Sequence, residues 1–187
     1  MSLTAIVVLG VLALGQPGPL THEATLTEHL DSPARLSVTD TEILVTDPRA
    51  NAIVRFDLDG TYLDTWSEPA GPLGIAVHPD GRIFVSRRED AQVGVYDSAF
   101  TFLRFLGEGI PAVDFVKPTD LAVDAATGRV YVVDSGGDRV YAFVSNDAFQ
   151  SHESVALMLG MRGGGTSKFK YPSALAVDSV QAGLRGR

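Results

Sequence analysis

The chain has 187 residues, room for one domain or at most two. Fifteen Lys and Arg against 23 Asp and Glu give a formal charge of −8 and a sequence pI of about 4.8. That balance excludes a nucleic-acid binder built on clustered positive charge, and the absence of cysteine excludes disulfides, thiolate metal sites, a cysteine nucleophile and lipid anchoring through cysteine. At 45% hydrophobic and 20% charged the composition is globular, and 19 glycines with 10 prolines predict many turns and many short strands.

From the N-terminus, Thr4 to Gly15 (TAIVVLGVLALG) is an uncharged apolar run that breaks at Gln16-Pro17-Gly18-Pro19. As a helix it would rise about 18 Å, short of a hydrocarbon core of about 30 Å. The length suits the apolar core of a secretory signal, so residues 1–20 are expected to be a signal peptide or an uncleaved N-terminal anchor. No Lys or Arg precedes the run and no Ala-x-Ala site follows it. The alternative is a buried strand or helix of the domain.

The remainder repeats. Pro33-Ala34-Arg35-Leu36-Ser37-Val38 recurs at Pro72 to Val77, Pro118 to Val123 and Pro172 to Val177, at spacings of 39, 46 and 54 residues. These periods sit around that of a propeller blade. Each copy continues through a turn into a short apolar run: Ile43-Leu44-Val45, Ile83-Phe84-Val85 and Val130 to Val133. A third run follows at Ala52 to Phe56, Gln92 to Tyr96 and Arg139 to Phe143, and a fourth at Thr61 to Trp66, Phe100 to Leu106 and Ser154 to Leu159. All are rich in β-branched and aromatic residues, bounded by Gly, Pro, Asp or Asn, and none keeps a helical period. The second run is apolar on successive residues, as a strand covered on both faces must be. Four meandering strands per unit make a blade; a sandwich of irregular strands is the alternative.

Pro118 to Val144 (PTDLAVDAATGRVYVVDSGGDRVYAFV) resembles an NHL repeat, with Asp134, Asp138, Arg139, Val140 and Phe143 on its pattern. The first copy matches through Asp47, Asn51, Ile53 and Phe56 but has Ala52 where Arg139 stands, and the second has Arg87 in place of the strand-end Asp. The connections match too, as Leu106-Gly107 … Phe115-x-x-Pro118 and Leu159-Gly160 … Phe169-x-x-Pro172. The resemblance implies an all-β chain: a partial β-propeller of four-stranded antiparallel blades, three of them complete. Since the family generally forms six-bladed rings, residues 33–187 are expected to be a C-terminally truncated set of blades, and residues 21–32 the last strand of a preceding blade. Two blade faces would then stay open to self-association or aggregation. A protomer that completes its ring with a second copy is the alternative to a fragment.

Asp47 and Asp134 end the second strand of their units, and Asn51 and Asp138 follow four residues later. Carboxylates at equivalent places in several blades can converge and hold Ca²⁺, which takes oxygen ligands. In tight turns the same residues accept backbone N–H bonds, the reading we favour. Arg139 has the parallel choice of binding a ligand or pairing with an Asp across the strands, and the ion pair is the reading we favour. His78-Pro79-Asp80-Gly81 is expected to be a plain hairpin turn, because His22, His29 and His152 stand at no zinc spacing with His78. Asp57-Leu58-Asp59-Gly60 lacks the later ligands of a calcium loop and reads as a turn. Lys168-Phe169-Lys170-Tyr171 is too small a basic patch for a nucleic-acid groove, and Phe169 repeats Phe115 as a packing residue. Gly163-Gly164-Gly165-Thr166 and Ser135-Gly136-Gly137 lack the strand–helix setting of a phosphate loop or a nucleophile elbow.

These residues point to a non-catalytic, extracytoplasmic scaffold for a protein, peptide or glycan, needing no cofactor. The membrane enters only through an uncleaved N-terminal segment, and nucleic acid not at all. The alternative is a metal-dependent propeller enzyme, amidating-lyase-like or lactonase-like, using Ca²⁺ or Zn²⁺ and drawing catalytic residues from outside this chain. Fold alone does not choose between them.

Overall fold

A computed structural model describes residues 25–68, 70–145, 153–160 and 169–177, without the side chains of residues 145 and 153–157. The export segment expected over residues 1–20 lies outside the described residues, as do His22, His152, Lys168 and the Gly163 to Thr166 stretch. Twelve strands among the described residues form three four-stranded antiparallel sheets. The first sheet holds β1 (Arg35–Val38), β2 (Glu42–Asp47), β3 (Ala52–Asp57) and β4 (Tyr62–Ser67). The second holds β5 (Pro72–Val77), β6 (Ile83–Arg87), β7 (Gln92–Tyr96) and β8 (Phe102–Phe105). The third holds β9 (Pro118–Asp124), β10 (Arg129–Asp134), β11 (Arg139–Ser145) and β12 (Glu153–Leu159). Strand order in space equals chain order in every sheet, so each repeat folds as its own meander.

Side chains alternate between the faces of a strand, and successive sheets bury their faces against each other. Leu44 and Ile53 of the first sheet pack against Ile75, Ile83, Val85 and Tyr96 of the second. On the second sheet's other face, Phe84, Val93 and Val95 pack against Leu121, Val130, Val132, Tyr141 and Phe143 of the third. The second strands are therefore apolar on consecutive residues, with Ile43, Leu44 and Val45 at 0, 0 and 4% exposure. Each such side chain stabilises the fold by about 1.5–3 kcal/mol, which makes these layers the main source of stability.

The first strands lie side by side, β1 next to β5 and β5 next to β9, so the sheets fan about the line they form. The approach is close: a Cβ on Gly74 would stand 2.8 Å from the Cα of Asp120. Only glycine lets the two backbones meet there. Across this inner edge the Arg35 Nε donates to the Asp120 carboxylate at 3.2 Å.

Two expectations change. Residues 25–30 do not form a regular strand; they hold a single bridge residue, Leu26, and a turn at 28–29, because His29 at φ 62° breaks the extended backbone. Nor is the outer face of the first sheet left bare. Leu26 and Leu30 pack on Ile43, Val45, Val54 and Phe56, and the His29 ring stacks on Tyr62 with centroids 3.8 Å apart. Leu36 and Val38 on the same face stay exposed at 41 and 49%.

Candidate functional site

An antiparallel meander puts its turns alternately at two ends. One end carries the β2–β3, β6–β7 and β10–β11 turns together with the connections between sheets, and every candidate residue lies there. Asp47 is fully buried, and its carboxylate accepts the backbone N–H groups of Asp31 at 2.5 Å, Ser32 at 2.9 Å and Ala50 at 3.1 Å. Asp134 repeats the arrangement with Val116 at 3.0 Å, Lys117 at 2.6 Å and Gly137 at 3.2 Å. Each carboxylate thus ties the two residues before a first-strand proline, and the turn after its own strand, to the strand end. Hydrogen bonds to an ionised acceptor are about twice as strong as neutral ones.

Asn51, Ala91 and Asp138 occupy one position in the three units, at φ 51°, 54° and 55°. Asn and Asp tolerate this left-handed conformation better than other non-glycine residues, which accounts for their place in the turn. The Asp138 carboxylate also accepts the Tyr171 N–H at 2.7 Å. Arg139 stands opposite Asp134 in the β10–β11 register, but the expected ion pair is replaced by a bond from its Nη1 to the Tyr141 hydroxyl at 3.3 Å. The Asp134 oxygens are already taken by backbone. That hydroxyl, and then the charges of Asp134 and Asp114, raise the Arg139 pKa.

The second unit solves the same problem differently. Arg87 replaces the strand-end Asp, and Glu68, from the connection itself, supplies the carboxylate. Glu68 is 2% exposed and accepts hydrogen bonds from the Ala70 N–H at 3.3 Å and from the Tyr96 hydroxyl. The Arg87 guanidinium lies 3.6 Å from Glu68 and 2.7 Å from Asp90, above the Phe105 ring. Burial, followed by the hydrogen bond to Glu68 and its charge, raises the Tyr96 pKa far above the ordinary phenol value. Nothing in the repeat pattern pointed to Glu68, which lies outside the aligned strands.

Beside these turns a pocket of about 460 Å³ is lined by Gln92, Phe105, Leu106, Glu108, Ile110 and Asp114, among others. At the opposite end, Gly81 N donates to the His78 carbonyl at 2.9 Å, closing the turn. The His78 ring bridges Asp80, at 2.7 Å, and the Gly128 carbonyl, at 3.2 Å. Asp57 caps its own hairpin by accepting from Asp59 at 3.0 Å and Thr61 at 2.7 Å. Asp97 does the same for the next unit, with Phe100 at φ 60° where the first unit has Gly60. Phe100 lies stacked between Tyr96 and Trp66, centroids 4.3 and 4.4 Å away, and Arg55 covers the Trp66 ring at 4.4 Å. Among the described residues no three His, Asp or Glu side chains gather as a metal site.

No protein-family model matches the chain, and no curated protein matches it in sequence. Solved structures do. Selenomethionine-substituted virginiamycin B lyase from Staphylococcus aureus superposes with a TM-score of 0.52 at 15% identity, over 71% of this chain and 44% of that one. A functionally unknown protein from Desulfotomaculum acetoxidans gives 0.60 at 15% identity, over 88% of this chain and 51% of the other. Hydrazine synthase of Kuenenia stuttgartiensis gives 0.52 at 16% identity, over 68% and 36%. The three fanned sheets and these likenesses settle the architecture. The chain is part of a β-propeller. It spans about half the length, or less, of the structures it matches. Each sheet is one blade, and the candidate carboxylates sit at the blade end that carries the inter-blade connections.

Proposed function

We propose that the chain is a binding scaffold of the NHL-repeat type, working outside the cytoplasm, which presents the connection end of its blades to a protein, peptide or glycan and needs no metal or other cofactor. The observation that carries this reading is the use made of Asp47 and Asp134. Either would be the natural ligand for Ca²⁺ in a propeller channel, yet each already accepts three backbone N–H bonds that hold a connection in place. Asp138 is likewise engaged with the Tyr171 N–H. The NHL assignment rests on the repeat, with its Asp-x-x-x-Asp/Asn turn, its proline-led first strand and its aromatic-x-x-Pro connection. Placement outside the cytoplasm rests on the apolar run from Thr4 to Gly15. The acidic net charge argues against nucleic acid.

The test joins two measurements on the purified chain. Elemental analysis after exhaustive dialysis should find Ca and Zn well below one equivalent. Peptide and glycan arrays should give saturable binding that survives chelator. Stoichiometric metal, lost in the Asp47→Asn/Asp134→Asn double variant, would replace the scaffold with a metal-dependent enzyme. Flat binding across both arrays with no metal would remove the scaffold reading as well.

A further inference from the structure

The first two blades are joined by residues 68–71 alone, whereas the second and third are joined by residues 106–117. The junction is of the same kind, so joining the blades does not require the longer chain. That longer segment is held in one shape. Leu106 is 1% exposed, and Val113 and Phe115 pack on the apolar layer between the second and third blades. The Tyr141 hydroxyl donates to the Asp114 carbonyl at 3.5 Å, and Asp134 accepts the Val116 and Lys117 N–H groups. Two successive turns shape the middle, with the Ile110 N–H on the Gly107 carbonyl at 3.0 Å and the Val113 N–H on the Ile110 carbonyl at 2.9 Å. Gly107 has φ 75°, and a Cβ there would stand 2.8 Å from the Val113 side chain, so only glycine fits. Binding residues are often carried on loops that a rigid sheet positions in this way.

The pocket of about 460 Å³ lies against this segment, within the size range of ligand sites. Its lining joins the apolar side chains of Phe105, Ile110, Val113 and Phe115 to the carboxylates of Glu108 and Asp114, both exposed residues. The other carboxylates at this end have partners: Asp47 and Asp134 hold backbone N–H groups, and Glu68 and Asp90 face Arg87. Glu108 and Asp114 make no side-chain hydrogen bond or ion pair among the described residues. The Asp114 charge reaches Arg139, but that guanidinium is bonded to the Tyr141 hydroxyl. The Phe105 ring already carries one cation, Arg87, at 5.2 Å from its centroid. A metal ion is a poor match, since no third His, Asp or Glu joins the two carboxylates among the described residues.

We infer that this pocket binds an organic cation, an ammonium or guanidinium on an apolar stem, such as a basic residue of a peptide presents. The inference rests on the scaffold reading above and names the chemistry of its ligand. The charged head pairs with Glu108 and Asp114, and the stem covers the aromatic and aliphatic wall. A net charge of −8 draws cations toward the chain before contact. An anionic or uncharged ligand would crowd or desolvate both carboxylates without pairing them, which gives selectivity.

The probe is a fluorescein-labelled peptide GGLRFGG, titrated with the purified chain and followed by anisotropy. Saturable binding is expected, weakened by added salt and absent for GGLQFGG, in which the cation is removed. The Glu108→Gln/Asp114→Asn double variant should bind about tenfold more weakly, and Glu108→Lys should bind no better than that. Neither carboxylate bonds to the fold, so circular dichroism should show all variants folded. Asp40→Asn/Asp59→Asn changes the net charge equally at the opposite end of the blades and should leave binding unchanged. No saturable binding, equal binding of GGLQFGG, or an equal loss in that control pair overturns the proposal. Competition by phenethylammonium tells the two sources of the cation apart: displacement at concentrations like those of unlabelled peptide assigns the pocket to small organic amines, and displacement by peptide alone assigns it to a basic peptide. Failure here with array ligands still bound leaves the scaffold reading standing. Cation binding in a chain that carries stoichiometric metal and loses it with Asp47 and Asp134 retires that reading and keeps the pocket.

Discussion

Replacing Asp134 by Ala strips one fully buried carboxylate that accepts three backbone N–H bonds, from Val116, Lys117 and Gly137. A hydrogen bond to a charged group is worth about 1.5–3 kcal/mol, and each buried donor left without a partner costs about 1–3 kcal/mol. Allowing for water reaching part of the site, the expected loss is about 4 kcal/mol, a large share of the 5–15 kcal/mol typical of a domain. Asp134→Asn should lose about half as much. Its remaining oxygen can keep the Lys117 and Gly137 bonds made by Oδ1, but its amide would face the Val116 N–H now bound to Oδ2. Urea unfolding measures both values, and hydrogen exchange at Val116 and Lys117 localises them. The reasoning is refuted if Asp134→Ala costs under about 1 kcal/mol, or if Ca²⁺ stabilises the wild type and not the variant. The carboxylate would then be a ligand and not a clamp.

Ala91 holds φ 54° without a side chain that favours it, so Ala91→Gly should raise unfolding free energy by about 0.5–1 kcal/mol in the same urea assay. Phe100 is also left-handed, yet Phe100→Gly should destabilise by about 1–2 kcal/mol, because losing the stack between Tyr96 and Trp66 outweighs the relief of backbone strain; a gain in thermal midpoint would refute this. Tyr96 carries a raised pKa in the folded chain, through burial first and then Glu68. Its contribution is complete below the unfolded phenol value of about 10 and is lost as pH rises beyond it, so stability should fall on the alkaline side. Absorbance at the phenolate band should show Tyr96 ionising only with unfolding, and Tyr96→Phe should flatten the alkaline slope.

The periodicity of the chain determined the architecture by itself. A proline-led apolar strand, a doubly covered second strand and Asp- or Gly-bearing turns recur in the same order, and strand period and turn chemistry are properties of neighbouring residues. The turn role favoured for Asp47 and Asp134 was legible for the same reason, though only half of it. The Ala50 and Gly137 N–H groups lie three residues away, whereas the amides of Asp31, Ser32, Val116 and Lys117 lie 15–18 residues back in the chain. Only the closed meander brings those connections to the strand end. Tertiary structure alone decided that Glu68 takes the place of a missing Asp, that Arg139 turns to Tyr141, that Phe100 accepts a strained backbone in exchange for two ring contacts, and that Arg35 reaches Asp120 across the inner edge. Each outcome depends on which groups from distant repeats meet in three dimensions, and a buried polar group must find a partner wherever the packed chain provides one.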